Sequence, residues 1–302
     1  MEFETWQTGT VFPAQIDDDE TDPVASGPPT QGPLRGPSAR AYLVMVIGEY
    51  ALDQGDSAWT QTLVDALALV GFGEKAVRQA LTRSAAAGWV TPERNGRRVR
   101  WRITDEGRRM LRSGKARIFA TAPSRDWNGD WLVLLTSVPE TNRRLRHRLR
   151  TSLSWAGFGS PAPGVWISPN APGREADELR PMLRGFGDQL QSTLLLARFD
   201  DPAERDRLIA QAWDIAALDE KYRAFIERFS AAEPYEQGDT LAQQLHMMYE
   251  WRRLLLLDPG LPASLLPRDW SGEHARRLFL DRHRAWRRPG LAWWRRREKT
   301  RP

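Results

Sequence analysis

The chain has 302 residues, of which 41% are hydrophobic and 27% are charged, with a net charge of +5 and no cysteine. The composition is typical of a globular protein of two or three domains, and the lack of cysteine excludes disulfides, thiolate catalysis and cysteine-based zinc or iron–sulfur sites. No stretch approaches about 18 consecutive apolar residues, and the acidic N-terminal segment has no apolar region typical of a signal peptide. We therefore expect a cytoplasmic protein with no membrane partner.

Residues 1–37 differ in charge from the rest of the chain. They hold seven acidic residues against Arg35 alone, a net charge of −6, so the remaining residues carry +11. The segment is rich in Pro, Gly, Thr and Asp, and it cannot bury enough apolar surface to offset the entropy lost on ordering. We predict a disordered acidic tail followed by a basic folded body. Composition leaves open whether the acidic run 17–20 competes with DNA phosphates for that body or is only solvated.

Two apolar segments lie on either side of a polar loop. Ser38 is a capping residue for a first helix with the sequence SARAYLVMVIGEYAL, and WTQTLVDALALVG predicts a short second helix that ends at the turn Gly71-Phe72-Gly73. A helix, a short glycine-containing turn and another helix are the parts of a helix-turn-helix.

Residues 74–88 separate into two faces on a helix that turns about 100° per residue. The packing face consists of Val77, Ala80, Leu81, Ser84, Ala87 and Gly88. The opposite face is polar and basic, and consists of Lys75, Arg78, Gln79, Thr82 and Arg83. Arg pairs bidentately with guanine and Gln with adenine, so we predict that this face enters the major groove of DNA. For such a helix taken alone, the alternative is a charged face that is merely solvated.

Residues 90–103 predict a β-hairpin. Apolar side chains alternate with arginines along residues 98–103, and Asn95-Gly96 is typical of a type I′ turn. An arginine-edged hairpin after a basic helix indicates a winged helix-turn-helix, and Glu93 is expected to pair with Arg98. The wing arginines should contact phosphate or the minor groove and set affinity more than sequence preference. They are Arg94, Arg97, Arg98 and Arg100.

The predicted DNA-binding domain covers residues 38–121, because a linker helix from Thr104 to Ala120, interrupted near Gly114, follows the wing. In residues 122–202 the pattern changes to strands at 131–138, 165–168 and 192–199, separated by an arginine-rich helix with Leu145, Leu149 and Leu153 on its inner face and by a helix near 174–184. Alternating strands and helices predict a ferredoxin-like α/β domain.

Residues 203–288 are predicted to be wholly helical. They carry apolar residues at helical spacing from 203 to 229, a long helix that ends at Asp258-Pro259-Gly260, and a last helix from Gly272 to Trp286. A basic tail over residues 289–302 follows. The expected fold class is therefore α+β and multidomain, with a winged helix-turn-helix, a ferredoxin-like domain and a C-terminal helical domain.

Five blocks resemble the PaaX-type repressors of phenylacetate catabolism. They are SARAYLVMVIGEY, EKAVRQALTRSAAAGWV with RNGRRVRWRIT, GFGSPAPGVWISP, WDIAALDEKYRAFIERF, and EWRRLLLLDPGLPASLLPRDW followed by Gly272. They span residues 38–286. The last block is the most specific, because helix formation alone does not require its order of residues. The resemblance implies a central domain similar to the small CRISPR-associated spacer-acquisition nuclease and a C-terminal effector and dimerisation domain. It also implies a homodimeric repressor, released from double-stranded operator DNA by an aryl-acetyl-CoA thioester such as phenylacetyl-CoA.

A thioester effector needs an aromatic pocket and cations for its phosphates. The candidates are Trp166, Arg252, Arg253 and Trp270, each with an alternative interpretation as a core or surface residue.

The rival function is an enzyme, either a metal-dependent nuclease or a CoA-thioester-processing enzyme with a DNA-binding domain. The first strand of the spacer-acquisition nuclease ends in a carboxylate, whereas the strand 131–138 ends in Thr136 and Ser137. His246 and Glu250 lie one helical turn apart, but two ligands are too few for a metal. We expect a regulator with no catalytic residue, no metal and no cofactor.

Overall fold

The computed structural model describes residues 38–119, 127–169, 176–231 and 237–299, so the predicted tail 1–37 lies outside the described residues. The chain divides into two compact units that do not follow the order of the sequence. The terminal unit comprises residues 38–119, 222–231, 237–253 and 272–299, and the central unit comprises 127–169, 176–221 and 254–271. Residues expected to form a separate C-terminal domain are therefore shared between the two units.

The N-terminal part of the terminal unit combines helices with an antiparallel three-stranded sheet. Its elements are α1 (Ala39–Val46, continued by a π-helical segment Ile47–Ala51), β1 (Ser57–Trp59), α2 (Thr60–Ala68), α3 (Glu74–Ala86), β2 (Val90–Asn95), β3 (Arg98–Ile103) and α4 (Asp105–Ile118). The sheet order is β1-β3-β2. The predicted cap of α1 is confirmed, since Ser38 Oγ accepts a hydrogen bond from the Ala41 amide at 3.1 Å. The predicted interruption of α4 near Gly114 is wrong, because the helix is continuous.

The remaining helices of the chain include α8 (Ile215–Ser230), α9 (Gln237–Leu257) and α10 (Gly272–Lys299). α8 and α9 each contribute residues to both units. α10 does not end at Trp286 as expected, but continues through Pro289 to Lys299. Its last turns are held by packing, because Trp294 is 1% exposed and stacks on Tyr50 with 5.6 Å between the ring centroids.

Helix α1 packs against α9 through two tyrosines. The Tyr42 ring stacks on Tyr249 at 5.0 Å, and its hydroxyl lies 2.9 Å from Nδ1 of His246. The Tyr50 hydroxyl donates a hydrogen bond of 2.6 Å to Oε1 of Gln244. Both buried hydroxyls therefore have a partner, and α9 serves as a core element for the N-terminal helices.

A buried carboxylate joins the π-helical segment to α9 and α10. The Glu49 side chain is 1% exposed, and its Oε1 accepts hydrogen bonds from His283 Nε2 at 3.0 Å and Arg287 Nε at 2.9 Å. A third, longer bond of 3.3 Å comes from Gln244 Nε2. We call Glu49, Gln244, His283 and Arg287 the Glu49 cluster. A buried carboxylate without hydrogen-bond donors would be costly, and the donors to Glu49 come from α9 and α10. The cluster therefore ties the α1 region to the C-terminal helices.

The central unit has strand and helix order β-α-β-β-α-β, followed by a further helix. Its elements are β4 (Trp131–Ser137), α5 (Arg143–Trp155), β5 (Gly159–Ala162), β6 (Val165–Pro169), α6 (Ala176–Arg184), β7 (Gln191–Ala197) and α7 (Pro202–Ala212). The sheet order is β5-β6-β4-β7 with antiparallel neighbours throughout. The three predicted strands are present, and β5, with the sequence GSPA, shows no alternation that would have revealed it. The coarse prediction of a mixed α+β multidomain chain is confirmed.

The central sheet is covered on both faces. Leu132 and Leu134 of β4 pack in one cluster with Leu149, Leu153 and Leu179 from α5 and α6. The opposite face buries Trp131 and Ile167 against Ile209, Ala212 and Leu261. Among the described residues, no helix is long and apolar enough to cross a membrane.

Candidate nucleic-acid interface

Helix α3 has the two faces that its sequence predicts. Val77, Ala80 and Leu81 are each 0% exposed, and Ser84 is 1% exposed. The helix begins after Gly73, directly behind the turn that ends α2. Because the packing face is fixed against the unit, the opposite face must project into solvent.

The exposed face of α3 presents the five predicted groove residues together. They line one open depression with Glu74, and are Lys75, Arg78, Gln79, Thr82 and Arg83. The Arg78 guanidinium pairs with Glu74 at 2.7 Å, but both side chains are more than half exposed, so the pair is weak and exchangeable for a stronger acceptor. Within the described part of the chain, the side chains of Lys75, Gln79 and Arg83 have no partner.

The turn of the β2–β3 hairpin, the predicted wing, differs from the predicted turn. Asn95 pairs with Arg98, so the two central residues are Gly96 and Arg97 rather than Asn95 and Gly96. Gly96 has φ of +60°, and Arg97 is not among the described residues with positive φ. A positive φ at the first central residue alone is the pattern of a type II′ turn, which glycine adopts without a Cβ clash. The predicted type I′ turn is therefore wrong, although the hairpin itself is confirmed.

The acidic residue of the wing also has a different partner from the expected Arg98. Glu93 lies opposite Arg100 in the register, and its carboxylate accepts hydrogen bonds from both Nε and Nη2 of Arg102, the latter at 2.9 Å. The hydrogen bond from Arg102 holds the pKa of Glu93 below its ordinary value. Arg102 lies diagonally across the hairpin, within reach of a long side chain.

Three of the four predicted wing arginines project from the hairpin, and the fourth is held against the unit. Arg94, Arg97 and Arg98 are exposed. Arg100 donates from Nε to Ser57 Oγ at 2.9 Å and from Nη2 to Glu298 at 3.3 Å. Its guanidinium therefore supports the base of the wing.

The base of the wing is fixed by residues that the sequence pattern does not indicate as functional. Thr60 Oγ1 donates to the Val99 carbonyl at 2.9 Å and accepts from Trp101 Nε1 at 3.0 Å. Glu298 Oε1 accepts from the Trp59 amide at 3.1 Å. These bonds tie β3 to the start of α2 and to the last turn of α10. Thr60 could have been found from the sequence as a polar residue at the start of a helix. Nothing in the sequence around Glu298 indicates that it contacts the hairpin.

The four candidate effector residues are divided between the two units. Trp166 and Trp270 belong to the central unit, and Arg252 and Arg253 to the terminal unit. Trp166 is 7% exposed in the core cluster, and its indole nitrogen donates to Thr136 Oγ1 at 3.1 Å. Trp270 is half-buried.

The two arginine candidates lie near the end of α9. Arg252 is buried, and Arg253 lies 3.5 Å from Glu250 with its guanidinium 5.8 Å from the Tyr249 ring centroid. The Nε of Arg253 is buried and has no hydrogen-bond acceptor among the described residues. A buried donor of this kind suits an anionic ligand.

The contacts of His246 and Glu250 do not create a metal site. His246 faces the Tyr42 hydroxyl at 2.9 Å, and Glu250 lies 3.7 Å from Arg228. Among the described residues, no group of three or more potential ligands is close enough to hold a metal ion.

Three family models match the chain. They are "PaaX-like protein" over residues 38–107, "PaaX protein central Cas2-like domain" over residues 124–209, and "PaaX-like protein C-terminal domain" over residues 213–296. A curated relative, the transcriptional repressor PaaX of Escherichia coli strain K12, is 30% identical over 260 residues, which cover 81% of this chain and 79% of that protein. Among solved structures, the uncharacterized protein Rv0674 from Mycobacterium tuberculosis is similar with a TM-score of 0.57 and 26% identity, covering 85% of this chain and 98% of that one.

Proposed function

Because this chain belongs to the PaaX family, we propose that it is a DNA-binding transcriptional repressor of an aromatic-acid catabolic operon of the phenylacetate type, and not an enzyme. The observation that carries this proposal is the exposed polar face of α3, whose opposite face is wholly buried. The name of the relative from Escherichia coli supports the repressor role.

Two finer assignments of fold belong to the same proposal. Residues 38–119 form a winged helix-turn-helix, supported by the order α1, β1, α2, α3, β2, β3 and by the hairpin beside α3. The central unit is ferredoxin-like, supported by its β-α-β-β-α-β order and the sheet order β5-β6-β4-β7. The protein acts as a homodimer, whose two recognition helices meet half-sites one helical turn apart.

The recognition helix and the wing have different tasks in this mechanism. Arg78, Gln79 and Arg83 read base edges, where one good bidentate pair discriminates by about 1 to 3 kcal/mol against the wrong base. Lys75 and Thr82 contribute further polar contacts at the groove. Arg94, Arg97 and Arg98 neutralise phosphates and set affinity and salt dependence without regard to sequence.

Release from the operator follows from binding of an aryl-acetyl-CoA thioester. If the effector binds more tightly to a dimer arrangement that no longer matches the half-sites, it weakens DNA binding. By thermodynamic linkage, DNA weakens effector binding by the same factor. A hundredfold weakening needs only about 2.7 kcal/mol of coupling. The candidates for contacts with the thioester remain Trp166, Arg252, Arg253 and Trp270. Arg253 is the strongest of them, because its Nε is buried and has no hydrogen-bond acceptor among the described residues.

The division of labour between α3 and the wing has a direct test. DNA from the region upstream of the protein's own gene is compared with random duplex in gel retardation. Arg83→Ala should lower the preference for the upstream DNA by about 5- to 150-fold, because the substitution removes a bidentate bond to a base. Arg97→Ala should weaken binding to both duplexes equally, because a phosphate contact carries no sequence information. Equal effects of the two substitutions on preference would refute the assignment.

The effector and non-enzyme parts are tested with phenylacetyl-CoA. Calorimetry should detect binding, and the bound thioester should release no free thiol. Binding to none of a panel of aryl-CoA thioesters would remove the effector assignment, and thiol release would identify an enzyme instead.

A further inference from the structure

A second basic surface lies in the central unit, on the outer side of α5. The helix contains five arginines and no acidic residue. Its apolar residues Leu145, Leu149 and Leu153 are buried against the sheet. The exposed side chains define the α5 arginine face, which consists of Arg143, Arg144, Arg146, His147, Arg148 and Arg150.

Among the described residues, four arginines of the α5 arginine face have no carboxylate partner, unlike two arginines of α7. On α7 of the same unit, Arg205 pairs with Asp206 at 2.7 Å and Arg207 with Glu204 at 3.6 Å. On α5, in contrast, four arginines have no acidic partner within the described ranges, namely Arg143, Arg144, Arg146 and Arg148. Arg146 donates only to the Glu140 backbone carbonyl at 2.7 Å, and Arg148 lies 5.4 Å from the Phe186 ring centroid.

Helix stability does not explain this arrangement. Arg143 and Arg144 occupy the first turn of α5, where the positive end of the helix dipole disfavours cations. Arg144 and Arg148 are four residues apart, a spacing at which like charges repel on a helix. The face therefore carries repulsion that a bound polyanion relieves.

We propose that the α5 arginine face binds the sugar–phosphate backbone of double-stranded DNA as a contact additional to α3 and the wing. The arginines are spread along a helix of about 20 Å and point outward from it. Donors that do not converge on one point suit a row of phosphates better than one small anion, and the planar guanidinium matches phosphate oxygens. The inference rests on the proposed DNA-binding function, and it gives the central unit a sequence-independent DNA contact of its own.

The test compares two double variants of the full chain on a fluorescent 40-base-pair duplex of arbitrary sequence. The test variant is Arg143→Gln with Arg144→Gln, and the matched control is Arg205→Gln with Arg207→Gln, which removes the same charge from the same unit. Glutamine has nearly the helix propensity of arginine, so both variants should keep the wild-type circular dichroism. Binding is followed by anisotropy over a series of salt concentrations.

The slope of log K against log salt is negative, and removing one arginine–phosphate pair reduces its magnitude by about 0.9, equivalent to about eightfold in affinity at 0.1 M salt. The magnitude of the slope for the test variant should therefore be smaller than that of wild type by up to about 1.8, and the control should match wild type. Equal behaviour of test variant and wild type, or equal weakening of test and control variants, overturns the inference. If wild type binds neither this duplex nor the DNA upstream of its own gene, the proposed function itself fails. If the test variant does not bind phenylacetyl-CoA but keeps DNA binding, the phosphate partner is the small molecule, and the inference is likewise overturned.

Discussion

Replacing Glu49 with alanine should destabilise the terminal unit more than any single exposed ion pair. The carboxylate is 1% exposed and accepts hydrogen bonds from His283 and Arg287. Hydrogen bonds to charged groups each contribute about 1.5 to 3 kcal/mol, and a buried donor left without an acceptor costs about 1 to 3 kcal/mol. Arg287 keeps an acceptor in Asp53 at 3.4 Å and is one-third exposed. The main loss of stability therefore comes from His283, which is buried and loses its acceptor. We expect a loss of about 2 to 4 kcal/mol in the free energy of unfolding.

Urea unfolding followed by tryptophan fluorescence measures this loss. Asp53→Ala is the matched control, because Asp53 pairs with the same Arg287 but its side chain is 46% exposed. Exposed pairs contribute only about 0 to 1 kcal/mol, so the control should remain close to wild type. If Glu49→Ala costs no more than Asp53→Ala, the Glu49 cluster does not hold α1 to α9 and α10.

Two further substitutions test the packing of the C-terminal helices. Burial lowers the pKa of His246, so the unfolded chain binds more protons as pH falls through about 6.5, and stability should fall with it. His246→Gln, which keeps a polar partner for Tyr42, should reduce this pH dependence in urea unfolding between about pH 5.5 and 7.5; an unchanged slope would contradict the assignment. Gly290→Ala should cost about 1 to 3 kcal/mol, because its Cβ would lie 2.5 Å from the Tyr50 hydroxyl. Gly114→Ala, with nothing within 4 Å of its Cβ, should instead raise the melting temperature, and a loss of stability at both positions would argue against a specific clash.

Local periodicity is sufficient to predict the elements that bury one face. The faces of α3 follow from apolar residues at helical spacing, and the structure places Val77 and Leu81 inside as predicted. The cap at Ser38 is also predictable, because a capping interaction involves residues three apart in sequence. Strand β5 is not predictable, because its four residues include a proline and show no alternation of apolar and polar side chains.

Long-range contacts explain what the sequence does not reveal. Trp293 and Trp294 follow Pro289, which suggests the end of a helix, yet their burial keeps α10 helical. Arg100 resembles its neighbours in the wing, but a carboxylate from the far end of the chain turns it inward. The predicted turn at Gly96 is wrong because register depends on the pairing of whole strands, and one residue of slip changes the turn type.

The burial of α1 by the last helices has a consequence for when the N-terminal part of the chain can finish folding during synthesis. Tyr50 and Gln244 are 194 residues apart, and Trp59 and Glu298 are 239 residues apart. At a translation rate of about 5 to 20 residues per second, the base of the wing waits about 12 to 48 s for its last hydrogen-bond partner. During that interval the apolar surfaces of α1 are without their native cover on the ribosome. The nascent chain therefore cannot complete the base of the β2–β3 hairpin until nearly every residue of the protein has been made.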